Sequence, residues 1–209
     1  MNPHTLALFI PACFALNLTF GPSNLLALTN GARAGVGAAV VAIFGRLVAY
    51  AILIAITGVG LGALLAASAH AFAIVKWGGA AYLIWLGVRM MRGGGARTSI
   101  EAAMATRPPT PQLFRQEFLV GIGNPKAILI FTAFFPQFVE PGRYLASFAV
   151  LGALFLLLEL TAAALYALAG RHIGRMASRT SATQWLNRIS GATMIAFGLL
   201  MLFARRPAA

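Results

Sequence analysis

Two short stretches and two isolated charges carry the chemistry this sequence offers. Gly21-Pro22-Ser23-Asn24 lies inside one apolar run, and Asn124-Pro125-Lys126 lies inside another much later in the chain. Proline removes a backbone donor and crowds the preceding turn, so neither run can pass through its stretch as an unbroken helix. Each proline fits as the first residue of a new half-helix, where the missing donor costs nothing. Ser23, Asn24 and Asn124 supply polar atoms for the backbone groups that a break frees. A half-helix N-terminus is partly positive and suits a carboxylate. Lys126 adds a full positive charge beside one of them.

Arg46 and Glu159 also fall within apolar runs. On insertion scales each costs about 2.5–3.5 kcal/mol at a helix centre, so each needs a partner or a task. Two readings follow. In one, Arg46 and Glu159 form a structural bridge between helices. In the other, Arg46 takes a substrate carboxylate and Glu159 carries a proton or a substrate ammonium. The two are compatible with different states of one cycle. The candidate binding residues are therefore Gly21, Pro22, Ser23, Asn24, Arg46, Asn124, Pro125 and Lys126, with Glu159 as the candidate for proton coupling.

Six apolar runs are available to position these groups, at 5–28, 36–65, 72–88, 118–135, 144–169 and 189–204. A membrane-spanning helix needs about 20 such residues. Between the third and fourth, residues 93–112 hold three consecutive glycines and the prolines 108, 109 and 111, the composition of a surface loop. Pro136 stops the fourth run, Gln137 and Phe138 cap its end, and Glu140-Pro141-Gly142-Arg143 reads as a turn. Gly21-Pro22 lies about nine residues from the cytoplasmic end of helix one, and Asn124 about eight from the start of helix four. Arg46 lies about ten residues into helix two, and Glu159 about eleven before the end of helix five. All four therefore lie roughly 12–17 Å deep in a ~30 Å core. Breaks and charges converge on one level. Two interrupted helices in corresponding places are the best sequence pointer to a transporter's binding site.

The expected fold is all-α, a single transmembrane domain over 1–209 with six transmembrane helices. Lys76-Trp77-Gly78-Gly79 leads into run three as Arg188-Ile189-Ser190-Gly191 leads into run six. With the breaks in runs one and four, this divides the chain into repeat one (1–92), a cytoplasmic linker (93–113) and repeat two (114–209). Three helices is an odd number, so the repeats are inverted. With the N-terminus outside, the cytoplasmic connectors hold ten Lys and Arg and the outer ones four, which puts both termini on the outer side.

Composition closes off other classes. The 209 residues are 60% hydrophobic and 10% charged, with mean hydropathy +0.83, against about 25% charged in soluble domains. Lipid is the solvent for most of the chain. The net charge of +12 sits in connectors rather than on one aromatic-interleaved face, so nucleic acid is not an expected partner. The sequence has no Asp and no centrally placed His, which argues against an intramembrane enzyme. Glu159 is the one carboxylate expected inside a span, too few for a metal-cation carrier. No cofactor or metal is expected. Cys13 is alone, so there is no internal disulfide, and the apolar start lacks the basic flank of a cleaved signal.

Other features read as structural. Gly58-Val59-Gly60-Leu61-Gly62 is a helix-packing face. Trp77, Tyr82 and Trp85 form an interfacial belt. His4, His70 and His172 lie near the surfaces, and Glu117 beside Arg115 reads as a loop-edge ion pair.

The chain resembles the LysE/RhtB family of bacterial amino-acid exporters. The likeness rests on Gly21-Pro22-Ser23-Asn24-Leu25-Leu26, on Lys76-Trp77-Gly78-Gly79 running to Gly87, and on Phe118 through Asn124-Pro125-Lys126 to Phe135-Pro136-Gln137-Phe138. It implies a six-helix, multi-pass exporter of amino acids or close derivatives in the bacterial inner membrane, driven by the proton gradient and often assembled as a homodimer. It also implies an acidic residue in helix five, where Glu159 falls. Two departures stand out. The family's first motif usually reads Ser/Thr-Pro-Gly-Pro, whereas Thr19-Phe20-Gly21-Pro22 lacks the first proline, so a shorter break is expected. Arg46 stands where relatives commonly carry polar or acidic residues.

Overall fold

The computed structural model describes residues 1–67, 108–140 and 142–175, with single positions between 74 and 92 and between 188 and 199. Most of expected runs three and six and of the 93–112 connector, with His70 and Tyr82, lie outside the described residues. All the described regular structure is helical. α1 covers Pro3–Leu18, α2 Pro22–Ala34, α3 Val36–Ala67 and α4 Thr110–Ile122. α5 covers Pro125–Leu129 and continues through a wide π turn, Ile130–Phe134, into a tight 3-10 turn, Phe135–Gln137. α6 covers Tyr144–Arg175.

Among the described residues, two helices, Val36–Gly60 and Tyr144–His172, are long and apolar enough to cross a membrane alone, with mean hydropathy 2.4 and 2.3. Two bent pairs pass the same test jointly, α1 with α2 at 63° and α4 with the α5 segment at 49°. The exposed face of α3 is an apolar stripe of Val41, Phe44, Val48, Ile52, Ile56 and Val59. Helical spacing of such residues on the outside is the pattern of a chain solvated by lipid.

Both breaks occur where the prolines require them. Pro22 and Pro125 each begin a helix, so no intrahelical bond is lost. Asn124 Oδ1 caps the second by accepting from the Lys126 backbone N–H at 3.0 Å. The first has Gly21 as its extended N-cap and gains no side-chain bond there. The gap in the first span is three residues long, Thr19 to Gly21.

Two boundaries differ from expectation. The first span does not end near Leu28 but runs on to Ala34, and Gly35 at φ 87° turns the chain directly into α3. Only glycine adopts that conformation readily. Hydropathy drops at Thr29, Asn30 and Arg33, but the Thr29 hydroxyl bonds the Leu26 carbonyl of its own helix and Asn30 and Arg33 bond Glu117 and Gln116 on α4. The fourth helix begins at Thr110, with Pro111 in its first turn and Pro109 as an extended N-cap. Prolines that resemble loop residues are tolerated there because first-turn donors have no intrahelical acceptor.

The helices pack as α4 along α3, α2 along α6, and α3 across α6. A Cβ at Gly31 would collide with the Ala167 carbonyl, and one at Gly170 with that of Leu28. At Gly45 it would meet the Phe114 carbonyl. Gly58 faces the Phe148 ring, the helix contact expected of its glycine motif. At one end the Met1 ammonium lies 3.7 Å from Glu140. There an aromatic cluster fills the core, with Phe131 against Phe155 at 4.9 Å and Phe9 against Phe138 at 5.3 Å. Gln137 does cap the preceding turn, donating to the Ala133 carbonyl at 2.8 Å.

Candidate translocation site

The site forms where the two breaks meet. Asn124 Nδ2 donates to Ser23 Oγ at 2.8 Å and to Tyr50 Oη at 3.1 Å. Ser23 and Tyr50 share a further hydrogen bond at 3.2 Å. Tyr50 stands on α3 one turn after Arg46, so the residue that joins the breaks and the buried guanidinium share one helix face.

Arg46 is fully enclosed, at 0% exposure, and its donors are distributed over three other helices. Nη1 donates to Glu159 Oε1 on α6 at 2.9 Å and to Asn24 Oδ1 on α2 at 3.2 Å. Nε and Nη2 donate to Glu117 Oε2 on α4 at 2.9 and 2.6 Å. Nη2 also donates to the Ser23 carbonyl. A planar fork of five donors suits such a junction, which an ammonium could not reproduce. The Arg46–Glu159 bridge is thus present, but as part of a triad.

Glu117 corrects the sequence reading. It is not a loop-edge partner of Arg115: it lies inside α4 at 0% exposure and pairs with Arg46. The described spans accordingly contain two enclosed carboxylates rather than one. Among the described residues, no group of three or more His, Cys, Asp or Glu is placed to hold a metal.

Lys126 is the second residue of α5, and its ammonium reaches across to α1. Its ammonium does not reinforce a half-helix N-terminus. It donates to the carbonyls of Leu16 and Thr19 and to Thr19 Oγ1, each at 3.1 Å. These are the carbonyls at the C-terminal end of α1, the partly negative pole of a helix. Asn24 Nδ2 serves the Asn17 and Thr19 carbonyls at 2.7 and 2.9 Å, and the Tyr166 hydroxyl serves that of Leu18 at 2.6 Å. The broken end of α1 is therefore capped by side chains from three other helices.

A polar chain leads from the triad toward the α2–α3 turn. Asn30 Nδ2 donates to Glu117 Oε1 at 3.1 Å. Arg33 Nη2 donates to Asn30 Oδ1 at 3.0 Å and to Gln116 Oε1 at 3.2 Å. Beside it a groove of about 470 Å³ runs between α2 and α4, lined by Pro22, Leu25, Thr29, Arg33, Gln116 and Leu119 among others.

The structure thus brings Pro22, Ser23, Asn24, Arg46, Asn124, Lys126 and Glu159 into one neighbourhood. Gly21 enters as the N-cap of α2 and Pro125 as the first residue of α5. Sequence reasoning missed Glu117, Tyr50, Asn30 and Tyr166. Glu117 lies two helical turns before Asn124, a spacing that becomes visible once α4 begins at Thr110.

Comparison with known proteins adds the lineage. The LysE type translocator family model matches residues 14–205. A homoserine/homoserine lactone efflux protein of Salmonella typhimurium is 33% identical over 192 residues, 91% of this chain and 92% of that protein. An uncharacterised membrane protein of Vibrio cholerae is 29% identical over 206 residues, 98% of this chain and 100% of that one. A leucine efflux protein of Enterobacter sp. is 30% identical over 132 residues, 63% and 62% of the two chains. No solved structure matches.

Proposed function

The chain belongs to the LysE type translocator family, and from that premise we propose that it is a secondary-active exporter of amino acids or close derivatives. The family makes it a membrane translocator and not an enzyme. The substrate class rests on relatives whose names specify efflux of homoserine, its lactone, or leucine. A small zwitterion, neutral or hydroxylated, is the cargo that the site chemistry favours.

The observation that carries this reading is the meeting of the two proline breaks at Ser23 and Asn124, beside an enclosed guanidinium with two carboxylates. Discontinuous helices at midplane expose backbone and charge where a solute can be bound from either side. Alternating access around this point is the proposed cycle, with Glu159 taking up and releasing a proton.

Six spans in two inverted repeats are the proposed architecture. Its support is an exchange of partners: α2, from the first broken span, lies along α6, and α4, from the other, lies along α3. A bacterial inner-membrane location rests on the family, and the placing of both termini outside rests on the Lys and Arg asymmetry. A homodimer rests on family resemblance.

The test is cellular. Cells overexpressing the chain are challenged with growth-inhibiting amounts of amino acids and analogues, and efflux of each tolerated compound is followed from preloaded cells. Tolerance with matching efflux of a defined subset supports export. Unchanged tolerance and efflux across the panel, with the protein in the membrane, removes the reading.

A further inference from the structure

The enclosed charges around Arg46 are balanced. Arg46 and Lys126 are the cations and Glu117 and Glu159 the carboxylates, all buried, and their formal charges cancel. A net-charged solute entering such a cluster leaves one buried charge uncompensated, which is strongly unfavourable. A zwitterion does not. Inserted between the guanidinium and a carboxylate, it converts one ion pair into two and keeps the sum at zero.

The surroundings indicate which pair opens. Glu117 Oε2 holds two of the Arg46 donors, and Glu117 Oε1 holds Asn30. Asn30 in turn is held by Arg33, whose side chain lines the α2–α4 groove together with Gln116. Along this hydrogen-bonded chain Glu117 is the first carboxylate reached from the groove. Glu159 lies beyond Arg46, on α6. The groove, at about 470 Å³, falls within the range of small-molecule sites. One of its walls is α2 from Pro22 at the break to Arg33 near the helix end.

Building on the exporter reading above, we propose that Glu117 is the ammonium subsite and Arg46 the carboxylate subsite of that exporter. The incoming amino acid gives its α-ammonium to Glu117 and its α-carboxylate to the guanidinium face that Glu117 releases. Arg46 keeps its bond to Glu159 meanwhile, so no charge is left unpaired. Arg46 in the empty protein therefore occupies the place of the substrate's ammonium. This makes Glu117 a specificity-determining residue: it selects solutes that carry both charges.

The test uses the full chain in inside-out vesicles, with L-homoserine and L-leucine as probes and, for each, the α-hydroxy acid that replaces ammonium by hydroxyl. The wild type is expected to move an amino acid and to disfavour its hydroxy acid by roughly tenfold or more, the factor for one lost charge-assisted contact. Glu117→Gln is expected to reverse that preference, because the site then lacks the anion that balances the ammonium and holds one uncompensated positive charge. Glu117→Asp keeps the carboxylate and is expected to retain the amino-acid preference with a raised KM and a little-changed kcat. Equal transport of both solute classes by the wild type overturns the inference, as does a Gln variant with wild-type preference or with both activities reduced alike. Should the Gln variant fail to reach the membrane, an Asp variant without amino-acid preference overturns it. A wild type that moves no probe overturns the exporter reading and this inference with it.

Discussion

Asn124 and Ser23 are 101 residues apart in the chain and 2.8 Å apart in space. Each lies at the proline that interrupts its own span. The contact ties the start of one half-helix to the start of the other, with Tyr50 as the third member. Asn124 also caps α5 through Oδ1, so one side chain both starts a helix and joins it to another.

Asn124→Ala should therefore have two separable effects. Losing the cap costs about 1 kcal/mol, to be read as a modest fall in the detergent melting temperature. Losing the Ser23 and Tyr50 bonds should reduce efflux far more than that fall accounts for. Asn124→Ser keeps an oxygen for the cap but is too short to reach Ser23 and Tyr50, and should recover most of the melting temperature but not the efflux. Equal recovery of both would show that the residue acts only as a cap.

The triad makes a definite prediction about charge exchange. Arg46→Ala takes from two enclosed carboxylates the guanidinium that pairs with both, and such a change costs about 3–5 kcal/mol in buried pairs. For an isolated Arg46–Glu159 bridge, the double exchange Arg46→Glu with Glu159→Arg would restore the pair. Here the new glutamate would face Glu117, which pairs with Arg46 at 2.6 Å in the native chain. The double exchange should fail to restore folded protein, and adding Glu117→Gln should improve it. Membrane yield and thermal melts of the three variants decide the matter, with full rescue by the double exchange counting against the triad.

The sequence announced the breaks and the long apolar helices that carry Arg46 and Glu159, because proline chemistry and hydropathy are local. It did not announce Glu117. Its neighbours Arg115 and Gln116 and the three upstream prolines give the segment a loop's composition, and only the partner on α3 makes a buried glutamate tolerable. Lys126 was legible as a charge near a break, but the choice between a helix N-terminus and a C-terminus depends on how α1 ends against α5. Tyr50 is unremarkable in a 32-residue apolar helix until Asn124 and Ser23 arrive beside it. What was hidden in each case is a contact between distant segments.

If Glu159 carries the coupled proton, Glu159→Gln removes the titratable group while keeping a neutral side chain of similar shape that can still accept from Arg46. An imposed proton gradient should drive efflux through the wild type and not through this variant, with equal amounts of protein in the membrane. Exchange of labelled for unlabelled substrate needs no net proton movement and should persist in the variant. Gradient-driven efflux at the wild-type rate would assign coupling elsewhere.

A close approach between α2 and α6 gives a prediction independent of any transport reading. α2 and α6 meet at Gly31 and Gly170, where a Cβ on either would run into the backbone carbonyl of Ala167 or Leu28. Backbone cannot yield as a flexible side chain can, so Gly31→Ala or Gly170→Ala must separate the two helices. Overpacking of this kind costs about 1–3 kcal/mol, beyond any gain in helix propensity from replacing glycine. Separating α2 from α6 also pulls Asn24 away from the Arg46–Glu159 pair that it joins at 3.2 Å. Both variants should therefore melt lower than the wild type. Alanine at Gly37, which has open space around the built Cβ, should not, and a Gly31→Ala protein as stable as the Gly37→Ala control would refute the packing.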